Sequence, residues 1–355
     1  MNPLLSQLVN HQVRLASRPV GLAKAENWQF TSEPVSEPAA GAVLVKTLVL
    51  SLDPAMRGWL NEGKSYIPPV GIGEVMRAGG IGRVLASKNP AFAPGDVVSG
   101  TLGVQEYCQD AAGTPGSRLE KIDLGLGTPA QWLNVLGMPG MTAYFGLLDV
   151  GQPKPGDTLV VSGAAGAVGQ TVGQLAKIKG CRVVGIAGGQ AKCDWVVKEL
   201  GFDACIDYKG TAPSGVTRWD PVREGLKQHC PKGADIYFDN VGGEILDHVL
   251  ARLAPKARVV ICGAISQYNN TAPLQGPKNY LSLLVHRARM EGMVVFDYAE
   301  RFPQAVAELA GYLQDGRLKS REDIVDGGIA AFPQTLNKLF AGENFGKLVL
   351  RVAAD

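Results

Sequence analysis

The feature that most constrains this chain is the segment DTLVVSGAAGAVGQTVGQLAKIKG, residues 157–180. A β-branched run, Thr158 to Val161, precedes a glycine-rich turn, and apolar residues then recur at helical spacing from Val168 to Ala176. The apolar period therefore changes from that of a strand to that of a helix across the glycines. A strand, a glycine turn and a helix in this order predict a βα unit with the local shape that holds a dinucleotide pyrophosphate.

The glycines of the turn have separate predicted roles. Gly166 lets the backbone approach a pyrophosphate closely, and Gly169 lets the helix lie near the strand. The free amides of the first helical turn would face the anion. Ala164 stands where the usual fingerprint has its first glycine, so the motif departs from the pattern at that position.

The end of the next predicted strand, Arg182–Ala187, indicates which dinucleotide is bound. An NAD site places an acid about 20 residues after the glycines to bind the ribose hydroxyls, but residues 188–192, GGQAK, include none. Lys192 would meet an added 2′-phosphate with a positive charge, so we predict NADP(H) as the cofactor. The alternative is that Lys192 is a solvated lysine near the start of the next helix.

Size and charge exclude several classes of protein. A chain of 355 residues suggests about two domains, and its 46% apolar composition is sufficient for packed cores. The 35 basic and 33 acidic residues leave a net charge of +2, which gives no reason to expect nucleic acid or a membrane surface as the partner. The sequence has no stretch of spanning length and no signal-peptide pattern, so we expect a cytoplasmic protein that binds a small molecule.

The cysteines and histidines predict neither a disulfide framework nor a metal site. The six cysteines include no Cys-x-x-Cys pair, and the four histidines include no His-x-x-x-His or His-Glu pair. His229 beside Cys230 is the nearest approach to a ligand pair, but adjacent residues at a helix end point in different directions. We therefore predict no metal and reduced, mostly buried cysteines.

The chain divides into a β-rich part and a part with repeated βα units. Short apolar runs between turn signals, from Val43 to Ile122, suggest a small, partly closed barrel with Greek-key connections. Alternating strand and helix candidates then predict a doubly wound parallel sheet, and the tail returns to short strands that should pair with the first part. We place a nucleotide-binding domain at 137–317, inserted into a discontinuous domain of residues 1–136 and 318–355.

The strands predicted after the glycine unit locate the ligand. They are 182–187, 204–208, 235–239, 258–262 and 293–296. Ligands of such sheets bind off the carboxyl ends of the strands. Asn240, Gly263, Ile265 and Val295 lie at or just past these ends, so we expect them to face the cofactor. The apolar segment Met293 to Phe296 could also extend the sheet across a two-fold axis, which predicts a homodimer.

Several stretches together resemble the medium-chain dehydrogenase/reductase superfamily along essentially the whole chain. They are SLDPAMRG (51–58), MPGMTAYFGL (138–147), SGAAGAVG (162–169), DNVGGEILD (239–247), ICGAISQYN (261–269) and GKLVL (346–350). The combination is similar to the zinc-free branch that contains the leukotriene dehydrogenase/prostaglandin reductases, the plant double-bond reductases and the bacterial NADPH-dependent curcumin reductases. The loop SYIPPVGIGEVM (65–76) is most similar to the curcumin-reductase type.

This resemblance implies an α/β fold in which a Rossmann domain is inserted into a GroES-like β-barrel domain. It also implies that NADPH delivers a hydride to the β-carbon of an α,β-unsaturated ketone or aldehyde. The implied cofactor positions are Ala165, Gly166, Ala167, Val168, Gly169, Gly188, Lys192, Tyr208, Asn240, Cys262, Gly263, Ala264, Ile265, Ser266, Tyr268, Met293, Val294, Val295 and Asn344. Prostaglandin and plant reductases carry a tyrosine four residues before the arginine that matches Arg289, whereas this chain has Val285, so that substrate contact is not carried over.

The implied chemistry needs a hydrogen-bond donor and a proton source. Hydride addition to an enone leaves negative charge on the carbonyl oxygen, and the resulting enolate must be protonated. The candidates are a tyrosine hydroxyl, the ribose hydroxyl of the cofactor or an ordered water, and we rank Tyr66 ahead of Tyr268. Alternatively, Tyr66 shields the pocket by packing alone and Tyr268 forms a wall beside the nicotinamide or ribose.

Other candidate residues also have structural alternatives. Arg57 could attract a polar substrate or make a structural ion pair. Met138 could line the substrate cleft, although a helix core uses the same residue type. Tyr208 and Asn344 could be a strand-end aromatic and a turn-forming asparagine.

Two further functions remain compatible with the sequence. One is NADPH-dependent quinone reduction, which the same fold supports. The other is a cofactor-binding protein with a structural or sensing role and no meaningful turnover. In the leading interpretation the partner is a small conjugated carbonyl compound.

Overall fold

The computed structural model of the chain describes residues 5–111, 119–212, 214 and 219–354. The chain forms two compact units. The first unit comprises residues 1–133 and 322–355, and the second comprises residues 134–321. The second unit is therefore continuous in sequence and interrupts the first.

The first unit consists mainly of β-strands. In chain order its described strands are β1 (Val9–Leu15), β2 (Trp28–Pro34), β3 (Ala42–Ser51), β4 (Gly79–Ser87), β5 (Val97–Thr101), β6 (Tyr107–Ala111), β7 (Glu120–Lys121) and, beyond the second unit, β14 (Glu322–Val325) and β15 (Lys347–Arg351). Its described α-helices are α1 (Ala55–Gly58), α2 (Pro129–Trp132) and α10 (Phe332–Ala341). Strands β1 and β2 pair with each other, and a larger sheet has the order β14-β15-β3-β4-β5-β7, with β6 also paired to β3.

The tail of the chain joins the N-terminal strands, as the sequence predicts. β15 runs antiparallel to β3, with Val349 opposite Ser51. Phe332 and Leu336 of α10 are buried in the same core as Leu50 and Leu348 of these strands. The core of the first unit therefore needs both ends of the chain.

A parallel sheet occupies the centre of the second unit. Its described strands are β8 (Thr158–Ser162), β9 (Arg182–Ala187), β10 (Ala204–Asp207), β11 (Ala234–Asp239), β12 (Leu253–Ile261) and β13 (Arg289–Gly292). They lie in the order β10-β9-β8-β11-β12-β13, and all neighbours are parallel. This is the strand order of a doubly wound dinucleotide-binding sheet, with its switch point between β8 and β11. The predicted α/β fold class is confirmed.

Helices connect most of these strands. The described α-helices of the second unit are α3 (Met138–Phe145), α4 (Ala167–Ile178), α5 (Gln190–Lys198), α6 (Pro221–His229), α7 (Gly243–Leu250), α8 (Ser282–His286) and α9 (Phe302–Gln314), and a π-helical turn, Gly146–Gly151, follows α3. Among the described residues, no helix combines the length and apolar character needed to cross a bilayer.

The sheet corrects two predictions. The sixth strand is β13, not Met293 to Phe296, where a 3₁₀ segment begins at Val295. All four residues of β13 are exposed, so this edge strand carries no apolar signal in the sequence. β12 begins at Leu253, ahead of the predicted strand 258–262, because buried apolar residues suit a helix and a strand equally.

Candidate functional site

The turn between β8 and α4 is shaped by close backbone approach. Gly163 has a φ of +61°, in the left-handed region that favours glycine. A Cβ atom on Gly169 would lie 2.2 Å from the Gly163 carbonyl oxygen, and one on Gly166 would lie 3.1 Å from it. A side chain at Gly169 would therefore push the first turn of α4 away from the strand.

Ala164 replaces the first glycine of the usual fingerprint, and the neighbouring strand makes room for it. Its side chain is fully buried, and its amide donates to the Ile186 carbonyl at 3.0 Å. A Cβ atom on Gly185 of β9 would lie 2.9 Å from the Cβ of Ala164. The missing glycine of the motif is thus compensated by a glycine in the next strand.

The start of α4 is suited to an anion. Its N-cap is Gly166, which has no side chain to cap the helix. The amides of Ala167, Val168 and Gly169 belong to the first helical turn, whose N–H groups have no carbonyl partner four residues earlier in the helix. Together with the helix dipole, these amides favour a phosphate group at the end of β8.

Residues at the switch point are linked by hydrogen bonds. The Asn240 side-chain amide donates to the Ser162 carbonyl at 2.7 Å, and the Asn240 backbone amide donates to Ser162 Oγ at 3.0 Å. These contacts join the last residue of β8 to the first residue after β11. They place Asn240 beside the glycine turn, in the crevice where such sheets bind their ligands.

Asp239 organises the loop after β11 with a single oxygen. Its Oδ1 accepts from Tyr237 Oη at 2.7 Å, from the Gly242 and Val241 amides at 2.9 and 3.0 Å, and from Ser162 Oγ at 3.1 Å. The side chain is 1% exposed, and this burial raises the pKa of the Asp239 carboxyl despite the four donors. The carboxyl oxygen therefore acts as a buried structural acceptor between β8, β11 and the loop.

The segment after β12 is held against the same loop. The amides of Cys262 and Gly263 donate to the Asp239 carbonyl at 3.0 and 3.1 Å, and Ser266 Oγ donates to the Val241 carbonyl at 2.6 Å. Burial raises the pKa of Cys262 to about 12, so its thiol stays protonated at neutral pH. Candidate positions 262–266 thus lie next to Asn240 along one edge of the sheet.

Tyr268 is placed by its hydroxyl. Tyr268 Oη accepts from the Ala264 amide at 3.1 Å. A Cβ atom on Gly263 would lie 3.0 Å from that hydroxyl, so the ring covers the glycine directly. This arrangement favours the interpretation of Tyr268 as a wall of the site.

The end of β9 adjoins the candidate 2′-phosphate position. A Cβ atom on Gly188 would lie 2.7 Å from Tyr208 Oη. The Gly189 amide, at the N-cap of α5, donates to Asp207 Oδ1 at 2.7 Å, and the Lys209 amide donates to the same atom at 2.9 Å. Lys192 lies in the first turn of α5 and is partly exposed. Gly188 and Tyr208 therefore lie in contact, and the Lys192 amide donates to the Gly189 carbonyl at 3.1 Å.

Met293, Val294 and Val295 follow β13 directly. The Met293 amide donates to the carbonyl of Ile261, the last residue of β12, at 3.3 Å. Although the strand prediction for this segment is wrong, the segment still begins at the carboxyl end of the sheet, where the candidate cofactor positions were expected.

The candidate residues of the first unit differ in exposure. Tyr66 is 57% exposed in an irregular segment. Arg57 is 3% exposed, and its guanidinium donates to the Gly21 and Pro19 carbonyls at 2.9 and 3.1 Å and to Asn61 Oδ1 at 2.6 Å. Desolvation lowers the pKa of Arg57. These hydrogen bonds to neutral acceptors favour a structural role for Arg57 over attraction of a polar substrate.

Asn344 and Met138 also have defined surroundings. The Asn344 side chain donates to the Gly346 carbonyl at 2.9 Å, as expected of a turn-forming asparagine. Met138, the first residue of α3, is 42% exposed, whereas Met141 and Tyr144 are buried. Of these three residues of α3, Met138 is therefore the one whose side chain is available to a ligand.

Cysteines and histidines do not gather into a metal site in the described ranges. No group of three His, Cys, Asp or Glu side chains has the proximity that metal binding needs among those residues. All six cysteines are free thiols.

Sequence reasoning missed Asp239, Asp207 and Gly185 as members of the site. Asp239 opens the DNVGG stretch, and its position at the end of a predicted strand before two glycines is a usable signal. Asp207 and Gly185 act through neighbours on other strands, so no local pattern identifies them.

Comparisons with known proteins cover both units. The model for an N-terminal domain of oxidoreductase matches residues 11–121, and the model for a zinc-binding dehydrogenase matches residues 167–311. The putative NADP-dependent oxidoreductase YfmJ of Bacillus subtilis (strain 168) is 45% identical over 96% of this chain and 97% of its own length. The NADPH-dependent curcumin reductase of Escherichia coli (strain K12) is 44% identical over 98% of each chain.

A solved structure is similar over the same extent. CurA from Vibrio vulnificus in complex with NADPH is 42% identical, with a TM-score of 0.88, and the match covers 97% of this chain and 100% of that one. The similarity therefore extends over both units of the chain.

The Asp239 network predicts a matched pair of stability changes. Asp239→Ala removes the acceptor of four donors, three of them in buried hydrogen bonds, and should lower the free energy of unfolding by about 3 kcal/mol or more, since each unsatisfied buried group costs about 1–3 kcal/mol. Asp239→Asn keeps an oxygen at this position and should lose less than half as much. Urea unfolding measures both values, and equal losses in the two variants would contradict the role given to Oδ1.

Proposed function

Because this chain belongs to the medium-chain dehydrogenase/reductase family, we propose that it uses NADPH to reduce the carbon–carbon double bond of α,β-unsaturated ketones and aldehydes. The observation that carries the proposal is the glycine turn at the switch point, where α4 begins without a capping side chain beside the Asn240 and Cys262–Ser266 loops. The names of similar proteins, an NADPH-dependent curcumin reductase among them, support the choice of cofactor and substrate class.

The residues present fit the cofactor. Added Cβ atoms at Gly166 and Gly169 would fill the space beside the turn, and the amides from Ala167 to Gly169 supply donors for a pyrophosphate. Lys192 would hold the 2′-phosphate, with Tyr208 beside it. When bound there, NADPH supplies a hydride to the substrate.

The chain's own groups would orient the substrate and donate a hydrogen bond to its carbonyl oxygen. Negative charge gathers on the carbonyl oxygen during reduction, so a hydroxyl donor directed at that oxygen lowers the barrier. We assign this donor to Tyr66, which is exposed. Tyr268, whose hydroxyl accepts from the Ala264 amide, would instead form a wall that positions the nicotinamide.

Product analysis tests the reaction. With NADPH deuterated at the transferable position and a curcumin-like dienone or an alkenal, we expect a saturated product with its carbonyl intact and the deuterium on the β-carbon. Turnover of quinones alone would favour the quinone-reductase alternative, and cofactor binding without oxidation across the panel would favour the structural or sensing role. Either result would overturn the proposal.

Lys192 predicts the preference between the two cofactors. Lys192→Ala should raise the KM for NADPH about tenfold, the worth of a charged hydrogen bond, and should leave the KM for NADH almost unchanged. Lys198→Ala, at the exposed end of the same helix, is the control and should change neither value. Steady-state kinetics with both cofactors decide, and equal effects on both would remove Lys192 from the site.

The tyrosine assignment predicts different effects on kcat. Tyr66→Phe should lower kcat about 100-fold, within the range of a lost donor or acid. Tyr268→Phe keeps the ring and should act mainly on the KM for NADPH. Tyr280→Phe is a control with the same 57% exposure as Tyr66. Full turnover in Tyr66→Phe with an enone would show that its hydroxyl has no chemical role.

We also propose a homodimer formed at the β13 edge. β13 is the last strand of the parallel sheet and is exposed along its length, and Leu284 and Val285 of the adjacent helix α8 are 75% and 65% exposed. An edge strand with exposed apolar neighbours favours pairing with a second copy about a two-fold axis. The cytoplasmic location expected from the sequence remains a prediction.

Light scattering tests the dimer. We expect twice the chain mass of 37.5 kDa for the wild type, and a shift toward the single-chain mass for Leu284→Lys, because a desolvated lysine opposes association. Val20→Lys is the control, since Val20 is 82% exposed in the other unit. A wild type with the mass of one chain would contradict the proposal.

A further inference from the structure

Two cysteine sulfurs lie in contact beside the candidate cofactor site. Cys193 belongs to α5 and Cys205 to β10, and their Sγ atoms are 2.9 Å apart. This is shorter than the optimum of about 3.5–4.0 Å for non-bonded carbon atoms and longer than the S–S bond of about 2.05 Å. Both are free thiols in the structure.

The fold brings the two sulfurs together for identifiable reasons. Helix α5 packs against β9 and β10. Cys205 is the register partner of Gly185, and a Cβ atom on Gly185 would lie 3.3 Å from Cys205 Sγ. The glycine therefore leaves room for the Cys205 side chain, which meets Cys193 from α5. β10 is the edge strand of the sheet, and Cys205 is partly exposed on it.

The surroundings of the pair favour ionisation of one thiol. The hydrogen bond from Cys205 lowers the pKa of Cys193, and the Ala187 backbone acts in the same direction, whereas burial and the negative charges of Asp207 and Asp194 oppose this shift. The pKa of Cys205 is raised because its thiol keeps the shared proton. The remaining four cysteines, Cys108, Cys181, Cys230 and Cys262, have pKa values raised by burial to about 12, 11, 11 and 12. The thiolate is the reactive form of cysteine. Cys193 is the cysteine whose pKa is lowered, whereas the pKa values of the other five are raised.

We propose that a hydroperoxide converts Cys193 and Cys205 into a reversible disulfide and that this disulfide weakens NADPH binding. In the first step the Cys193 sulfur attacks the peroxide O–O bond, giving a sulfenic acid and releasing hydroxide or an alcohol. In the second step the Cys205 sulfur attacks the sulfenic sulfur, the S–S bond forms, and water leaves with the thiol proton. A dithiol restores both thiols by exchange.

The coupling to the cofactor rests on the proposed function. Lys192, the 2′-phosphate candidate, immediately precedes Cys193, and the amide of Gly189 at the start of α5 is tied to Asp207, two residues after Cys205. Closing the sulfur separation to bonding distance would move the first turn of α5 toward β10 and displace Lys192. By linkage, bound NADPH must then oppose oxidation of the pair by the same factor.

Mass spectrometry of the full chain tests the redox site without the cofactor. After treatment with hydrogen peroxide, we expect two thiols to be protected from alkylation. Proteolysis should then release a peptide in which Cys193 is joined to Cys205. Dithiothreitol should restore both thiols and separate this peptide. Cys205→Ser, whose hydroxyl keeps a hydrogen-bond donor beside Cys193 but cannot form a disulfide, should retain Cys193 as a sulfenic acid, trapped by dimedone, whereas Cys108→Ala should behave as the wild type. A linkage between other cysteines, or none, would overturn the site.

Affinity measurements then test the coupling. The oxidised wild type should bind NADPH at least about fivefold more weakly than the reduced protein, at the low end of typical coupling between sites, and Cys205→Ser should show no such change with oxidant. Unchanged affinity in a sample with the verified disulfide would overturn the coupling. Absence of NADPH binding in the reduced protein would instead overturn the proposed function, because the disulfide is detected independently.

Discussion

The close approach of α4 to the end of β8 is the constraint on which the site depends. The first helical turn lies so near the strand that Gly169 cannot carry a side chain without meeting the Gly163 carbonyl. This approach points the unpaired amides of the helix at the carboxyl edge of the sheet. Since Ala164 occupies the position of the usual first glycine, Gly185 of β9 must stay small as well, and the turn is therefore built by two strands.

Buried hydrogen bonds fix the other loops relative to this turn. Asp239 holds β8 and its own loop through Oδ1, and its carbonyl holds the segment after β12. Asp207 fixes the start of α5 in a similar way. Both carboxylates thus accept hydrogen bonds from backbone amides. Lys192 is the candidate positive charge for binding a phosphate. Cys193 follows Lys192 directly and Cys205 lies two residues before Asp207, so the proposed disulfide would bear on the position of Lys192.

Local patterns in the sequence predicted much of the fold. β9 spans the predicted residues, and the tail pairs with β3 as expected, because buried strands and an amphipathic helix have strong apolar periods. The exposed strand β13 has no such period, so its prediction was displaced onto the apolar residues that follow. The glycine turn was recognisable because its signal is local, whereas the role of Lys192 stays a prediction. Asp207, Gly185 and the two sulfurs depend on contacts between neighbouring strands and helices, which only the folded structure reveals.

Binding of the reduced cofactor tests the central claim most directly. Calorimetric titration of the purified wild type with NADPH and with NADH measures whether the β8–α4 turn and Lys192 together form a site for a phosphorylated dinucleotide. The account predicts one site per chain, with NADPH bound more tightly than NADH. The absence of measurable NADPH binding, or equal affinity for both cofactors, would contradict it.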